Sequence, residues 1–239
     1  MLEKLGRKFA RFTTNQVVRR PGLWPLFRRL TRWQFDRIAP QWDDMRSGDA
    51  FAPLEEALGT LETSPSRILD LGTGTGRAAF LLARRYPEAE VVGVDIAPAM
   101  LAEARRLTPP ELKGRVRFEG ADAEQLPYPD ASFDLVSLAN MIPFFPELGR
   151  VTAPSGAVVF SFSGGADTPI YVPPEVLRRE LAKQGFAEFA DFAAANGTAP
   201  SSGAASRTAS GSACATSSVR RAPIVSSSSG WVENRYLSR

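Results

Sequence analysis

The sequence predicts an α/β fold: a doubly wound, mostly parallel sheet with helices at the N-terminus and an irregular C-terminal tail. From residue 67 onward, short apolar runs alternate with segments of helical period. A glycine-rich turn, residues 72–76, follows the first apolar run. The second run ends in a carboxylate, Asp95, 19 residues after Gly76. Because ligands of doubly wound sheets bind beyond the carboxyl ends of the strands, the turn and the carboxylate are predicted to share one site.

The elements follow in order along the chain. Helices are predicted over residues 2–19, after Pro21-Gly22, and over 51–62, where apolar residues recur at helical spacing. Strands are predicted at 67–71, 90–95, 115–118, 133–138, 157–162 and 186–192. The helices between them are predicted at about 76–86, 98–107, 145–151 and 174–184. This order predicts a helical cap (1–62), a sheet domain (63–195) and a low-complexity tail (196–239).

Composition limits the chemistry that is available. The chain has no histidine and one cysteine, Cys214. These counts exclude a histidine base, the Ser-His and Cys-His nucleophile pairs, an intrachain disulfide and a cysteine cluster for zinc. No metal site is therefore expected. The single cysteine also predicts a reducing, cytoplasmic location.

Charge is distributed unevenly along the chain. Residues 1–40 carry ten Lys or Arg against two acids and residues 196–239 five Arg against one Glu, although the whole chain is only +3. The segment between them is therefore acidic, which argues against nucleic-acid binding. The basic N-terminal helices are interpreted as a pocket cap or as a peripheral contact with an anionic membrane. No run of 18 apolar residues is present, so no transmembrane segment is expected.

The glycine positions distinguish two kinds of nucleotide site. The dinucleotide fingerprint G-x-G-x-x-G requires glycine where this chain has Arg77. Its glycines are Gly72, Gly74 and Gly76, and Asp70 precedes them. A pyrophosphate favours bare N–H groups, whereas a sulfonium amino acid suits a site that keeps a carboxylate. The pattern D-x-G-x-G-x-G resembles that of class I S-adenosylmethionine (SAM) methyltransferases, whose fold is Rossmann-like.

Further segments extend the resemblance over about two thirds of the chain, to the small-molecule branch that includes the ubiquinone/menaquinone C-methyltransferases. Residues 35–43 are similar to the segment that folds over SAM in that group, and residues 120–127 to its adenine-side loop. Residues 132–136 resemble its fourth strand, and 148–156 the signature before its fifth, with Ser155 where glycine is usual.

The resemblance implies a set of cofactor-binding residues. They are Asp70, Gly72, Thr73, Gly74, Gly76, Asp95, Ile96, Asp122, Ala123 and Asn140. The implied partner of Asp95 is the ribose, that of Asp122 is the adenine amine, and Asn140 is implied to lie near the reacting methyl. A turn cap at Asp122 and a helix cap at Asn140 are the structural alternatives.

Other implied roles concern the two ends of the cofactor. The glycines let the backbone pass close to the methionine moiety, which Asp70 helps to hold. Ile96 packs on the adenine, and Ala123 supplies a backbone N–H nearby. Asp134, before an apolar strand, is interpreted as structural.

The acceptor pocket is predicted from aromatic residues. Phe144, Phe145, Tyr171 and the N-terminal aromatics are expected to line it. Methyl transfer from SAM is an in-line displacement that needs placement more than acid–base chemistry. Asp36, Asp43 and Tyr171 are candidate bases, and none of them is assigned.

The C-terminus departs from the family pattern, which ends in an antiparallel seventh strand. Residues 196–230 contain eleven Ser with many Ala and Gly, a composition typical of disorder. One interpretation is a degenerate tail that leaves a sheet edge unpaired. The alternative is that residues 219–225 supply the strand from a distance.

The sequence therefore predicts a methyltransferase that moves a methyl group from SAM to a small-molecule acceptor. The alternative is a non-catalytic module of the same fold that acts through its basic arm on a membrane or a partner. A nicotinamide oxidoreductase is disfavoured by Arg77 and by the lack of histidine. The acceptor and the oligomeric state are not indicated.

Overall fold

The computed structural model describes residues 2–44, 51–59, 61, 64–194 and 220–227. The α-helices of these ranges are α1 (Leu2–Arg19), α2 (Trp24–Ile38), α3 (Ala52–Gly59), α4 (Arg77–Arg85), α5 (Pro98–Leu107), α6 (Phe145–Val151) and α7 (Pro174–Ala182). The strands are β1 (Arg67–Leu71), β2 (Glu90–Asp95), β3 (Val116–Gly120), β4 (Phe133–Ala139), β5 (Thr152–Phe162), β6 (Phe186–Ala194) and β7 (Arg220–Ser227). Most boundaries lie within a few residues of those predicted.

One strand begins earlier than its sequence pattern indicates. β5 starts at Thr152 rather than Ala157, because Thr152 pairs with Phe133 and Ala157 pairs with Leu135. The register shifts between these two pairs, so several residues of β5 lie opposite a short stretch of β4. The apolar run that predicts the strand covers only its regular part.

The strands form one sheet in the order β3-β2-β1-β4-β5-β7-β6, and all neighbouring pairs are parallel. Successive residues of the central strands belong to two different cores. Leu69 and Val136 face one cluster, whereas Ile68 and Leu135 face the other, and all four are fully buried. Helices cover both faces, as a parallel sheet requires. The predicted doubly wound α/β class is confirmed.

The last strand corrects the prediction of an irregular tail. Arg220–Ser227 is β7 and lies between β5 and β6. The tail predicted for 196–239 is therefore wrong over these residues, and the alternative of a strand supplied from a distance describes them. The remaining predictions for the tail, at 195–219 and 228–239, lie outside the described residues.

The direction of β7 also differs from the family pattern. Ile224 lies opposite Phe160 of β5 and Asp191 of β6, and the register runs parallel on both sides. A strand joined to β6 by a hairpin would have to be antiparallel, whereas a long connection also permits parallel pairing. The distance in sequence between the two strands thus removes the constraint that predicts an antiparallel strand.

The N-terminal helices lie over the carboxyl ends of the strands. Val17 and Trp24 are buried in the core cluster on that side. Arg7 and Arg11 of α1 donate hydrogen bonds to the carbonyls of Asp167 and Ala166, which follow β5, at 3.0 and 2.7 Å. These contacts hold the two helices against the body of the molecule.

The third helix has a different position from the first two. Leu54 and Leu58 of α3 are fully buried in the cluster on the other face of the sheet. Of the predicted cap at 1–62, α1 and α2 therefore cover the carboxyl ends of the strands, while α3 packs against the sheet. The domain boundaries at 62 and 195 stay predictions.

The position of β7 makes the C-terminal strand important for stability. A chain that ends at residue 199 lacks β7 and leaves β5 and β6 without their shared neighbour. We expect its melting temperature to be lower by about 10 °C or more than that of a chain that ends at residue 227. Thermal unfolding followed by circular dichroism measures the difference. Equal melting temperatures would show that β7 adds nothing to the sheet.

Candidate functional site

The glycine turn after β1 is held in a conformation that side chains resist. Gly72, Gly74 and Gly76 have φ angles of 75°, 54° and 84°. The amides of Gly72 and Thr73 donate to the carbonyl of Val94 at 2.8 and 2.9 Å. This ties the turn to β2. Because all three glycines lie in the left-handed region, a substitution at any of them would be strained.

Asp95 joins the end of β2 to the glycine turn. Its Oδ2 accepts a hydrogen bond from the amide of Gly74 at 2.9 Å, and its Oδ1 accepts one from the amide of Ala97 at 2.9 Å. Desolvation raises the pKa of Asp95, and the backbone hydrogen bonds oppose that rise. Each carboxylate oxygen retains a lone pair for a further donor. The partly exposed carboxylate lines the cavity described below.

Asp70 lies beneath the turn rather than in the cavity. Its carboxylate is 1 % exposed, and Oδ2 accepts a hydrogen bond from the hydroxyl of Thr73 at 2.7 Å. Among the described residues, no hydrogen-bond donor reaches Oδ1. Burial raises the pKa of Asp70 to about 6, the Thr73 hydroxyl offsets part of that rise, and the charge of Asp95 adds to it.

Residues 35–43, which comprise the end of α2 and the turn after it, close over the glycine turn. Asp43 accepts hydrogen bonds from the hydroxyl of Thr75 at 2.7 Å and from Nε of Arg77 at 3.0 Å. The indole Nε1 of Trp42 lies 3.4 Å from the position that a Cβ on Gly74 would take. The sequence resemblance predicts such a covering segment, and in the structure it is attached to the turn by these contacts.

The same segment is fixed at its other end by Asp36. Its Oδ1 accepts a hydrogen bond from the amide of Ala99 at 2.9 Å, in the first turn of α5. A carboxylate at that place satisfies a free backbone donor and stabilises the helix dipole. Asp36 and Asp43 therefore have structural partners, so neither is free to act as a base in this arrangement.

A cavity lies between the carboxyl ends of the strands and helices α1 and α2. It has about 1140 Å³ of empty space, part of it open to solvent. Of the sequence-predicted site residues, those that line it are Gly72, Thr73, Gly74, Asp95, Ile96, Ala123 and Asn140. Gly76 instead begins α4, where a Cβ would lie 2.7 Å from Cζ of Phe118.

Asp122 is directed differently from what the resemblance implies. Its Oδ1 accepts hydrogen bonds from the indole Nε1 of Trp24 at 2.7 Å and from the amide of Glu124 at 3.0 Å. Arg28 reaches Oδ2 at 3.4 Å. The carboxylate thus caps its own turn and binds α2, while its neighbours Ala121 and Ala123 line the cavity.

Asn140 follows β4 in a backbone conformation that is rare for residues other than glycine. Its φ is 56°, and asparagine is among the side chains that tolerate this region. The side-chain oxygen accepts a hydrogen bond from the amide of Ser163 at 3.0 Å, and Nδ2 donates to the Ser163 hydroxyl at 3.1 Å. Asn140 therefore ties the end of β4 to the end of β5 at the cavity wall, rather than capping a helix.

The aromatic acceptor pocket is the prediction that the structure corrects most. Phe144 and Phe145 are 2 % and 4 % exposed and belong to the core. Phe144 packs edge-on against Trp24, and Tyr171 against Phe162, with ring centroids 5.3 and 5.2 Å apart. None of Phe144, Phe145 and Tyr171 lines the cavity.

Side chains of the N-terminal helices take their place. The cavity wall on that side contains Phe9, Ala10, Thr13, Trp24, Thr31, Gln34, Phe35 and Trp42. The prediction that N-terminal aromatics line the pocket describes Phe9, Trp24, Phe35 and Trp42. Polar cavity residues such as Gln34 could not be predicted from the sequence. Helical spacing predicts which side of a helix is buried, but not which part of the molecule that side contacts.

Asp134 has the structural role that its position predicts. Its Oδ2 accepts hydrogen bonds from the amide and hydroxyl of Ser66 and from the amide of Arg67, at 2.7 to 3.0 Å. Partial burial raises the pKa of Asp134, but these hydrogen bonds outweigh it and the net shift is downward.

Comparison with known proteins identifies the type of domain. Residues 68–156 match the family model described as "Methyltransferase domain". The matched range begins in β1 and contains the glycine turn, Asp95 and Asn140. The residues that build most of the cavity floor therefore lie within the range that matches the family model.

Two curated relatives illustrate the similarity. A malonyl-[acyl-carrier protein] O-methyltransferase of Halorhodospira halophila is 44% identical over 146 residues, which are 57% of this chain and 49% of the relative. A demethylmenaquinone methyltransferase of Thermus thermophilus is 51% identical over 107 residues, 41% of this chain and 48% of the relative. The chain thus spans about half the length of these relatives.

A solved structure supports the fold alone. The [4+2]-cyclase SpnF superposes with a TM-score of 0.52 and 24% identity, covering 65% of this chain and 71% of that one. That protein is named as a cyclase, and one fold carries different reactions, so the fold alone does not determine the activity.

The raised pKa of Asp70 predicts how stability depends on pH. Because the pKa is about 6 in the folded chain and 3.8 ordinarily, the carboxyl stabilises the fold fully only below about pH 3.8. That contribution is lost as the pH rises through 6. Asp70→Asn should abolish the loss, a change on the order of 3 kcal/mol. Urea unfolding between pH 4 and 7.5 measures it.

A second aspartate provides the control for this experiment. The pKa of Asp134 is lowered, so its contribution is lost as the pH falls. Asp134→Asn should therefore change the pH dependence with the opposite sign. If wild type and Asp70→Asn gave parallel curves, the buried carboxyl would not titrate in this range.

Proposed function

We propose that this chain, which contains a class I methyltransferase domain over residues 68–156, transfers a methyl group from SAM to a neutral, largely apolar small molecule. The observation that supports it best is the cavity, where the glycine turn and Asp95 meet an apolar wall from α1 and α2. The two curated relatives described above are named as methyltransferases, one of them as a demethylmenaquinone methyltransferase.

The residues present fit SAM as the cofactor. Gly72, Thr73 and Gly74 line the cavity, and Asp95 keeps lone pairs free beside them. Asp70 contributes a buried carboxylate with an unpaired Oδ1 beneath the turn, and negative charge there favours a cationic ligand. A pyrophosphate would be repelled by Asp95 at the cavity wall and by the charge of Asp70 beneath the turn, which disfavours a nicotinamide dinucleotide.

In this proposal the sequence-predicted site residues have separate roles around the cofactor. Asp95 accepts hydrogen bonds from the ribose, and Ile96 packs on the base while Ala123 supplies a backbone N–H near it. Gly72, Thr73 and Gly74 border the methionine moiety. Asn140 fixes the end of β4 beside them. Asp70 acts through Thr73, since its own carboxylate is not exposed to the cavity.

Bound SAM supplies a methyl group that is already activated by a positively charged sulfur. The chain itself then has to hold the acceptor in line and exclude water, and such positioning is worth roughly 7–11 kcal/mol. Residues 35–43 and helices α1 and α2 cover the site and so exclude water from it. No general base is assigned, because Asp36 and Asp43 are held by backbone and side-chain donors.

The acceptor class follows from the charges around the cavity. Among the described residues that line it, the only ionisable ones are Asp95 and Arg77. Arg77 is paired with Asp43 at 3.0 Å. A carboxylate-rich acceptor would thus be buried without a free cation, which costs several kcal/mol. A neutral acceptor with a few hydrogen-bonding groups suits Thr13, Thr31 and Gln34.

Other interpretations of the sequence are weaker. The non-catalytic module finds no support, because the relatives are named as enzymes. No helix in the described part of the chain is long and apolar enough to cross a membrane. A cytoplasmic location stays a prediction from the cysteine content.

Cofactor binding is tested first by calorimetric titration of SAM and its demethylated product, S-adenosylhomocysteine. Asp95→Asn should weaken binding about tenfold to a hundredfold, because it removes a charged acceptor of the ribose hydroxyls. Glu88→Gln removes an exposed carboxylate outside the site and should leave the affinity unchanged. Equal binding by wild type and Asp95→Asn would contradict the assigned role.

The acceptor class is tested with demethylmenaquinone, named in the Thermus thermophilus relative, and with trans-aconitate, named in a curated relative from Methylobacterium nodulans. We expect methyl transfer to reduced demethylmenaquinone, and a kcat/KM for trans-aconitate that is at least about a hundredfold lower. Transfer of radiolabelled methyl from SAM measures both. Efficient methylation of trans-aconitate by the wild type would contradict the proposal that the acceptor is neutral. If Arg77→Gln abolished that activity, Arg77 would be shown to leave Asp43 and bind the carboxylates.

A further inference from the structure

Helices α1 and α2 present a second apolar face, directed away from the cavity. The exposed large hydrophobic residues of the described chain are Phe12, Leu26, Leu30 and Trp33, with 54%, 74%, 47% and 57% of their surface accessible. All four belong to these two helices. Exposed apolar groups concentrated on one pair of helices indicate an interaction surface.

The spacing places these residues on one face. Leu26, Leu30 and Trp33 are related by four and three residues, so they form a single stripe along α2. Phe12 of α1 contacts Phe27 edge-on at 6.0 Å, beside the stripe. We call these five residues the outer apolar face.

Basic side chains surround this face. Exposed cations on the two helices are Lys8, Arg19, Arg28, Arg29, Arg32 and Arg37, and Arg20 follows α1 directly. The guanidinium of Arg37 lies 5.7 Å from the ring centre of Trp33. Asp36, the one acid of α2, binds the amide of Ala99 and also pairs with Arg32 at 3.6 Å. Arg28 is likewise paired, with Asp122 at 3.4 Å, so the other cations carry the excess charge. The face therefore combines apolar side chains with an excess of positive charge.

We propose that the outer apolar face docks on an anionic lipid surface, with α1 and α2 lying in the plane of the membrane. Aromatic and leucine side chains enter the boundary between headgroups and acyl chains, while arginines pair with lipid phosphates. Such a helix pair lies on a membrane without spanning it. The proposal goes beyond methyl transfer, since binding to lipid requires no bound cofactor.

The charge around the outer apolar face favours an anionic lipid surface as its partner over a second copy of the chain. Pairing two such faces would bring two clusters of arginines together, which is unfavourable. An anionic bilayer neutralises the same cations. The acidic character of the rest of the chain also orients the molecule, because it repels the body from the lipid and leaves α1 and α2 toward it.

The test is co-sedimentation of the full chain with vesicles. One set contains phosphatidylcholine with about 30% phosphatidylglycerol, and the other phosphatidylcholine alone. We expect binding to the anionic set that weakens at high salt, because screening shortens the reach of the arginines. Binding to neither set, or equally to both, would overturn the proposal.

Variants separate the charge contribution from the apolar one. Arg29→Gln should weaken binding about fivefold, whereas Lys113→Gln removes an exposed cation of the body and should have little effect. Leu26→Gln with Leu30→Gln should weaken binding by at least about tenfold. Neither leucine lines the cavity, and glutamine keeps helix propensity, so melting temperature and SAM binding should be unchanged.

Self-association is the competing outcome and is measured on the same proteins. Light scattering after size exclusion should show no change of mass in the leucine variant. A dimer that this double substitution dissociates, together with absent vesicle binding, would assign the face to a second copy and refute the lipid proposal.

Discussion

The site depends on one carboxylate that two backbone segments share. Asp95 accepts from Gly74 on one side and from Ala97 on the other, so the glycine turn, the end of β2 and the start of α5 take fixed positions relative to each other. The parallel register of β1 and β2, with Leu71 opposite Val94, brings them to one edge. Without that register the turn would have no acceptor for its amides at Val94, and the cavity would lose its floor.

The covering segment adds a second connection to the same turn. Asp43 binds Thr75 and Arg77, and Asp36 binds the first turn of α5. Two aspartates of one short segment therefore satisfy donors on either side of the cavity entrance. Cover and floor share these contacts, so a change in one is transmitted to the other through hydrogen bonds rather than through apolar packing.

The sequence predicts the floor of the site better than its walls. Strand ends and glycine conformations follow from local rules, and for that reason the turn and Asp95 meet as expected. Asp122 does not follow the pattern, because its partner Trp24 comes from a helix far away in the sequence. Phe144 and Phe145 look like pocket residues only because aromatic side chains suit a core and a binding wall equally well. The expectation of an antiparallel last strand is wrong for a related reason, since no local signal sets the direction of a strand after a long connection.

The position of β7 also orders events in synthesis. Ala157 of β5 and Glu188 of β6 both pair with Arg221, so neither edge can be completed until residues 220–227 have left the ribosome. Until then, β6 has no partner among the described strands, and the edge of β5 is open. Growing chains expose unpaired strand edges to one another in this interval, and such edges favour aggregation. The yield of folded protein should thus depend on how quickly the segment after β6 is translated.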